Sequence, residues 1–161
     1  MEKHRQTVRK VILKTSSDPE SVFRKWYNDC VLKLPDKKVL DIGKSIHWDY
    51  SGLFTDYTTL DNNSDVNPTV VADITKSGLP DESFDIVLCN GMYEQVEGAV
   101  LVSEVKRILK KEGIAVFGFC GLDATWEGNK YDGQDLFEGF VLVGGKDFDK
   151  KYHFIICQKL S

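Results

Sequence analysis

Five short runs of apolar residues, each bounded by turn residues, constrain the fold of this chain most strongly. They occupy residues 38–42, 57–61, 69–73, 84–90 and 114–119. Their apolar character is mostly continuous rather than alternating, which indicates strands buried on both faces. Strands of this kind pair in a parallel sheet with helices on either side, so the sequence predicts an α/β sandwich.

Helical spacing of apolar residues appears at two places in the chain. Ser17 and Glu20 form a capping box, Pro19 suits a first helical turn, and the apolar face that follows extends to Leu34. The range 99–110 has the same three- and four-residue spacing. We therefore expect one helix before the first strand and another between the fourth and fifth strands.

The remaining connections complete the predicted topology. Residues 140–143 and 152–157 are apolar and close enough in sequence to pair as an antiparallel hairpin, with a turn region from Gly144 to Lys151. The segment between the first strand and Tyr57 is short, so its crossover helix is expected to span only a turn or two. The predicted fold is a mostly parallel, Rossmann-like sandwich with an antiparallel edge.

Composition bounds the function classes. A chain of 161 residues is expected to form a single domain over 1–161, with a basic N-terminal arm at 1–15. The formal net charge of −4 gives no strong nucleic-acid signal. No apolar run reaches the roughly 20 residues needed to span a bilayer. The four cysteines have no metal-ligand spacing, which excludes a zinc site and favours reduced thiols in a cytoplasmic protein.

Polar residues at the ends of four consecutive strands carry the functional signal. They are Asp41 with Gly43, Asp61 with Asn62, Asp73, and Asn90. Ligands of open parallel sheets bind beyond the carboxyl ends of the strands. Asp61 lies at the end of the second strand, where an acid can accept hydrogen bonds from both hydroxyls of a ribose. Helix capping or an Asx turn is the structural alternative for Asp61 and Asp73.

At these residues the chain resembles the class I S-adenosylmethionine-dependent methyltransferases over about 37–159. The motifs that carry the resemblance are VLDIG (39–43), YTTLDNN (57–63), VVADITKSGLPDESFDIVLCNGMYEQV (70–96), SEVKRILKKEGIAVF (103–117) and the closing EGFVLVGGKDFDKKYHFIICQK. The resemblance implies S-adenosylmethionine as cofactor, and it implies direct displacement of the methyl group onto an acceptor.

The same resemblance implies roles for individual residues. Asp41 and Gly43 would frame the loop under the methionine portion of the cofactor. Asp61 would bind the ribose hydroxyls, with Asn62 beside the adenine. Asp73 would accept from the adenine amino group, with Ile74 donating its backbone amide, and Asn90 would lie near the sulfonium. The expected acceptor-side residues are Tyr93, Glu94 and Gln95.

The first loop departs from the glycine-rich family pattern. Where the family has its second and third glycines, this chain has Ser45 and His47. Glycine suits such a loop because the backbone approaches the ligand closely. Ser45 could still offer its amide or hydroxyl to the cofactor, whereas His47 is a large intrusion. His47 and Trp48 are alternatively part of the acceptor pocket or of the packing around the loop.

Two main functional hypotheses remain open on the sequence. The first is an S-adenosylmethionine-dependent methyltransferase acting on a small-molecule or sugar acceptor, with no catalytic residue assigned because methyl transfer depends largely on alignment. The second is a catalytically inactive methyltransferase-like module that binds a protein partner, which the altered loop favours. A nicotinamide-binding Rossmann domain ranks last, because it requires the same glycine loop and explains the terminal hairpin less well.

Overall fold

The computed structural model describes residues 19–43, 49–91, 98–120, 137–148 and 152–160. The helices within them are α1 (Pro19–Leu32) and α2 (Gly98–Ile108), and short 3-10 turns occupy Ser64–Val66 and Ile74–Lys76. The strands are β1 (Val39–Ile42), β2 (Tyr57–Asp61), β3 (Val70–Val71), β4 (Phe84–Asn90), β5 (Leu109–Cys120), β6 (Phe140–Phe148) and β7 (Tyr152–Lys159).

The strands form one sheet in the order β3-β2-β1-β4-β5-β7-β6. β1 pairs in parallel with β2 on one side and with β4 on the other, and β5 continues the parallel set beyond β4. β7 runs antiparallel to both β5 and β6. This is the mostly parallel sheet with an antiparallel hairpin that the sequence predicts.

Each face of the sheet is covered by one of the helices. Leu40 and Ile42 of β1 pack in a core with Leu101 of α2, whereas Val39 packs in the opposite core with Phe23 of α1. Successive side chains of a strand point to opposite faces, so a strand in the middle of the sheet must be apolar at every position. The continuous apolar runs of the sequence have this physical cause.

Aromatic rings attach α1 to the C-terminal strands. The Tyr27 ring meets Phe154 of β7 edge to face with the ring centroids 6.4 Å apart, and the centroids of Phe23 and Tyr152 are 6.0 Å apart. Trp26 of α1 packs at 5.9 Å from Phe148 of β6. The first helix is therefore held by the last two strands as well as by the centre of the sheet.

Several element boundaries differ from the sequence prediction. The second helix ends at Ile108 rather than at residue 110, and β5 begins directly at Leu109 rather than at residue 114. Glu112 adopts a φ of 64° inside this strand, and the pairing of β5 with β4 is irregular there. The prediction placed a connecting segment where the structure has a bent strand.

The prediction that Gly144 and Gly145 begin a turn region is wrong. Both glycines lie inside β6, which continues to Phe148. A methyl group at Gly145 would lie 2.8 Å from the carbonyl oxygen of Phe154. Glycine occurs here because the β7 backbone approaches closely, and the same residue type elsewhere marks a turn.

The third strand is also shorter than predicted, spanning Val70–Val71 instead of residues 69–73. The Ala72 amide still donates to the Asp61 carbonyl at 2.9 Å, but Asp73 already caps the following 3-10 turn. The first crossover contains no helix in its described part, 49–56. The capping-box residue Ser17 and the basic arm at 1–15 lie outside the described residues.

Truncation of Leu101 tests the core under α2. The Leu101 side chain is fully buried, whereas its neighbour Val100 is 39% exposed. We expect Leu101→Ala to lower the free energy of unfolding by about 2–5 kcal/mol, because a cavity remains where the side chain was. Val100→Ala is the control and should change it by less than about 0.5 kcal/mol. Urea denaturation measures both, and equal effects would contradict the assigned orientation of α2.

Candidate functional site

The carboxyl ends of four neighbouring strands bring the predicted polar residues into one row. β3, β2, β1 and β4 are adjacent and parallel, so their last residues all reach the same edge of the sheet. Along this edge the order is Asp73, Asp61, Gly43 and Asn90. Neighbouring strands lie about 4.8 Å apart, so the row extends over about 14 Å. We call this row the carboxyl edge.

Asp61 ends β2 and keeps part of its carboxylate available. Its Oδ1 accepts the backbone N–H of Asn63 at 2.8 Å, which closes an Asx turn. Oδ2 has no hydrogen-bond partner within the described part of the chain. Asn62 follows with an exposed side chain. The local turn and ligand binding are therefore compatible, since they use different oxygens of the same group.

Asp73 follows β3 and caps the 3-10 turn that begins at Ile74. Its Oδ1 accepts from the backbone N–H of Thr75 at 2.8 Å and from the Thr75 hydroxyl at 2.7 Å. These hydrogen bonds hold the pKa of Asp73 below its ordinary value, so the exposed carboxyl is ionised at neutral pH. The Ile74 side chain is 2% exposed, which leaves only its backbone for contact with a ligand.

Asp41 has a different environment from the other acids. It lies inside β1, is only 5% exposed, and faces the core under α1. The Tyr57 hydroxyl donates to its Oδ2 at 2.5 Å. Tyr57 pairs with Val39, two residues before Asp41, so both side chains lie on the same face of the sheet. This hydrogen bond connects the side chains of β1 and β2 within the core, beneath the carboxyl edge.

Burial controls the ionisation of this group. It raises the pKa of Asp41 to about 7, with the Tyr57 hydrogen bond lowering it and the charge of Asp49 raising it further. The pKa of Tyr57 is raised well above its ordinary range by burial and by the Asp41 charge. Tyr50 is 1% exposed, and its hydroxyl has no hydrogen-bond partner among the described residues.

Gly43 and Asn90 flank the middle of the carboxyl edge. Gly43 has a φ of 76°, which L side chains rarely adopt, and its N–H donates to the Leu60 carbonyl at 2.8 Å. That N–H is used within the sheet, so the positive φ is the feature at this position that requires glycine. Cys89 pairs with Ile42, so Asn90 lies directly beside Gly43 at the end of the neighbouring strand.

Sequence reasoning missed Tyr57, which is the hydrogen-bond partner of Asp41. The available signal was an aspartate within an apolar strand, because a buried carboxyl requires a partner. The first-loop candidates Ser45, His47 and Trp48 lie outside the described residues, as do the acceptor-side candidates Tyr93, Glu94 and Gln95. No helix within the described ranges has the length and apolar character needed to cross a membrane.

Residues 38–117 match a protein-family model described as a methyltransferase domain. This range begins just before β1 and ends inside β5, so it contains the whole carboxyl edge. Comparison with curated protein sequences gives no match.

Solved structures share the fold at low sequence identity. The N-methyltransferase NodS of Bradyrhizobium japonicum WM9, in complex with S-adenosylhomocysteine, is 16% identical with a TM-score of 0.69, covering 98% of this chain and 99% of that chain. The 1,6-didemethyltoxoflavin-N1-methyltransferase of Burkholderia thailandensis has 15% identity and a TM-score of 0.61, covering 82% of this chain and 74% of that one.

A third similar structure has a different activity in its name. The [4+2]-cyclase SpnF is 13% identical with a TM-score of 0.65, covering 88% of this chain and 82% of that chain. Likeness at this level of identity shows the fold alone, because one fold supports unrelated chemistry.

The raised pKa of Asp41 predicts a pH-dependent stability. Between about pH 4 and pH 7 the unfolded chain has this carboxyl ionised while the folded chain keeps it protonated, so Asp41 lowers stability as the pH rises. In Asp41→Asn this contribution is removed. From pH 5 to pH 8 we expect the stability of the variant to rise relative to the native protein by about 2–3 kcal/mol, because only the part of the shift between pH 5 and about pH 7 falls in this range.

Chemical denaturation at a series of pH values measures this difference. Asp56→Asn is the matched control, because Asp56 is exposed immediately before β2 and accepts the Val39 N–H with its backbone carbonyl, which the substitution keeps. Its stability should follow the native protein at every pH. If the stability of Asp41→Asn and that of the native protein change in parallel from pH 5 to pH 8, folding does not raise the pKa of Asp41 and the prediction is wrong.

Proposed function

Because the chain belongs to the class I S-adenosylmethionine-dependent methyltransferase family, we propose that it binds S-adenosylmethionine along the carboxyl edge and methylates a small-molecule acceptor. The observation that carries this proposal is the row in which the polar residues Asp73, Asp61 and Asn90 and the loop glycine Gly43 follow four adjacent parallel strands. Asp61 and Asp73 also stabilise local turns, and their position side by side on adjacent strands suits an extended ligand with several polar groups.

The charges of the carboxyl edge suit this cofactor. S-adenosylmethionine carries a sulfonium and an ammonium group, and the edge presents the carboxylates of Asp61 and Asp73. We assign Asp61 to the ribose hydroxyls through its available Oδ2, with Asn62 beside the adenine. Asp73 and the Ile74 backbone amide are assigned to the adenine edge, and Asn90 to the region of the sulfonium. Asp41 joins β1 to β2 beneath this edge through its hydrogen bond with Tyr57.

The reaction requires alignment more than acid–base chemistry. When bound, the cofactor supplies an activated methyl group on sulfur, which an acceptor nucleophile displaces directly. The protein's contribution is to hold donor and acceptor in line, which removes most of the entropic cost of the encounter. A base is required only for an acceptor that must lose a proton, such as a hydroxyl group. The described residues therefore need only to bind, orient and exclude water.

A small-molecule acceptor is supported by one of the structures that share the fold. That protein is an N-methyltransferase whose name specifies the small molecule 1,6-didemethyltoxoflavin. The acceptor class that follows is a small metabolite with an amine or hydroxyl nucleophile.

Replacement of Asp61 tests the cofactor assignment. We expect Asp61→Ala to raise the dissociation constant for S-adenosylhomocysteine about 10- to 100-fold, because the ribose hydroxyls lose a charged acceptor, worth about 1–3 kcal/mol. Isothermal titration calorimetry measures it. Asp56→Ala, at the opposite end of β2, is the control and should bind like the native protein. An unchanged constant in Asp61→Ala would rule out the ribose assignment.

Activity is tested by following S-adenosylhomocysteine formation with the native protein, S-adenosylmethionine and a panel of small amines and phenols. We expect product formation that depends on one acceptor class, with a mass increase of one methyl group on that acceptor. Native protein should also gain roughly 5–10 °C in Tm at a hundredfold excess of cofactor over its Kd.

The alternative function is a catalytically inactive module that binds a protein partner. The specific observation that favours it is the replacement of two family glycines by Ser45 and His47. If millimolar S-adenosylmethionine and S-adenosylhomocysteine leave Tm unchanged, the cofactor proposal is wrong and this alternative replaces it.

A further inference from the structure

Asn90 and Gly118 lie side by side on the adjacent strands β4 and β5. Asn90 is the last residue of β4, and its register partner in the parallel neighbour β5 is Gly118. The N–H of the following residue, Gly91, donates to the Gly118 carbonyl at 3.0 Å. The two strand ends are therefore fixed to each other at this position, so the space between them does not widen easily.

The Asn90 side chain occupies the place where a side chain of residue 118 would begin. A Cβ built on Gly118 would lie 2.2 Å from Asn90 Oδ1 and 3.0 Å from Asn90 Cγ. The same Cβ would lie 3.1 Å from Cζ of Phe23, a fully buried side chain of α1. Any side chain at position 118 thus meets the amide on one side and a packed ring on the other.

Backbone conformation does not explain the glycine. The described glycines with positive φ are Gly43, Gly78, Gly91 and Gly139, and Gly118 is not one of them. Its backbone has the ordinary strand conformation, which every residue type can adopt. The requirement at position 118 is therefore for space, and the group that fills this space is a polar amide.

We infer that Gly118 is a positioning residue for Asn90: by leaving its own side-chain volume empty, it lets the Asn90 amide lie across the end of β5 beside Phe23, in the orientation that serves the ligand at the carboxyl edge. This inference rests on the proposed cofactor site. It adds a residue from β5 to a site whose other members come from β1 to β4.

Gly118→Ala moves the amide without removing it. The added methyl group must displace Asn90, because Phe23 blocks movement toward α1. We expect Gly118→Ala to weaken S-adenosylhomocysteine binding about tenfold, which is what loss of one hydrogen bond to a charged ligand predicts. Asn90→Ala should weaken binding by a similar factor, and the double variant should be no weaker than either single variant, because both remove the same contact.

Gly144→Ala is the matched control. Gly144 is also a strand glycine without positive φ, and a methyl group there meets only the end of the Ile156 side chain, at 3.2 Å. Its binding constant should equal that of the native protein.

Side-chain amide resonances provide a readout that does not depend on the cofactor. The Asn90 NH₂ signal, assigned by its loss in Asn90→Ala, should shift in Gly118→Ala and stay in place in Gly144→Ala. Thermal unfolding gives a second readout: the fall in Tm caused by Gly118→Ala should be smaller in the Asn90→Ala background, since the clash with the amide is absent there.

The outcomes separate the two proposals. If the native protein binds no S-adenosylhomocysteine but the amide signal shifts and the Tm effects are non-additive, positioning by Gly118 stands and the assigned ligand is wrong. If the native protein binds and Gly118→Ala binds equally well with an unmoved amide signal, the positioning role is overturned. Independent, additive losses of affinity in the two single variants would also overturn it.

Discussion

The parallel pairing of β1 between β2 and β4 is the constraint on which the rest of the structure depends. All four of its residues are paired with both neighbouring strands, and all four are buried. A strand in this position needs a helix on each face, and it aligns the carboxyl ends of its neighbours with its own. The same requirement that makes the chain fold therefore produces the edge where a ligand can meet several strands at once.

Asp41 lies in this buried central strand and is also only two residues from Gly43 at the candidate site. An apolar residue would satisfy the core under α1 without a hydrogen bond, whereas the carboxyl needs the Tyr57 hydroxyl and is protonated near neutral pH. Asp73, by contrast, is exposed, and its hydrogen bonds from Thr75 hold its pKa below the ordinary value. One sequence pattern, an acid within or after a strand, thus corresponds to two physical environments.

The fold was largely predictable because its signals are local. Continuous apolar runs identified the central strands, and apolar spacing identified both helices. What failed depended on distant backbone: Gly145 is required by the approach of β7, and the bent strand at Glu112 is set by irregular pairing with β4. In the candidate site, the strand-end residues could be read from sequence, but Tyr57 and Gly118 could not. Each acts through a neighbour on another strand, and register is not visible in a single sequence.

The aromatic attachment of α1 to β7 has a consequence for synthesis of the chain on the ribosome. Tyr27 and Phe23 are made early, whereas Phe154 and Tyr152 are made near the end of the described sequence. Until those strands emerge, the buried face of α1 lacks part of its cover and presents aromatic surface to the cell. The contacts of α1 with β7 therefore form only after nearly the whole described sequence has been made.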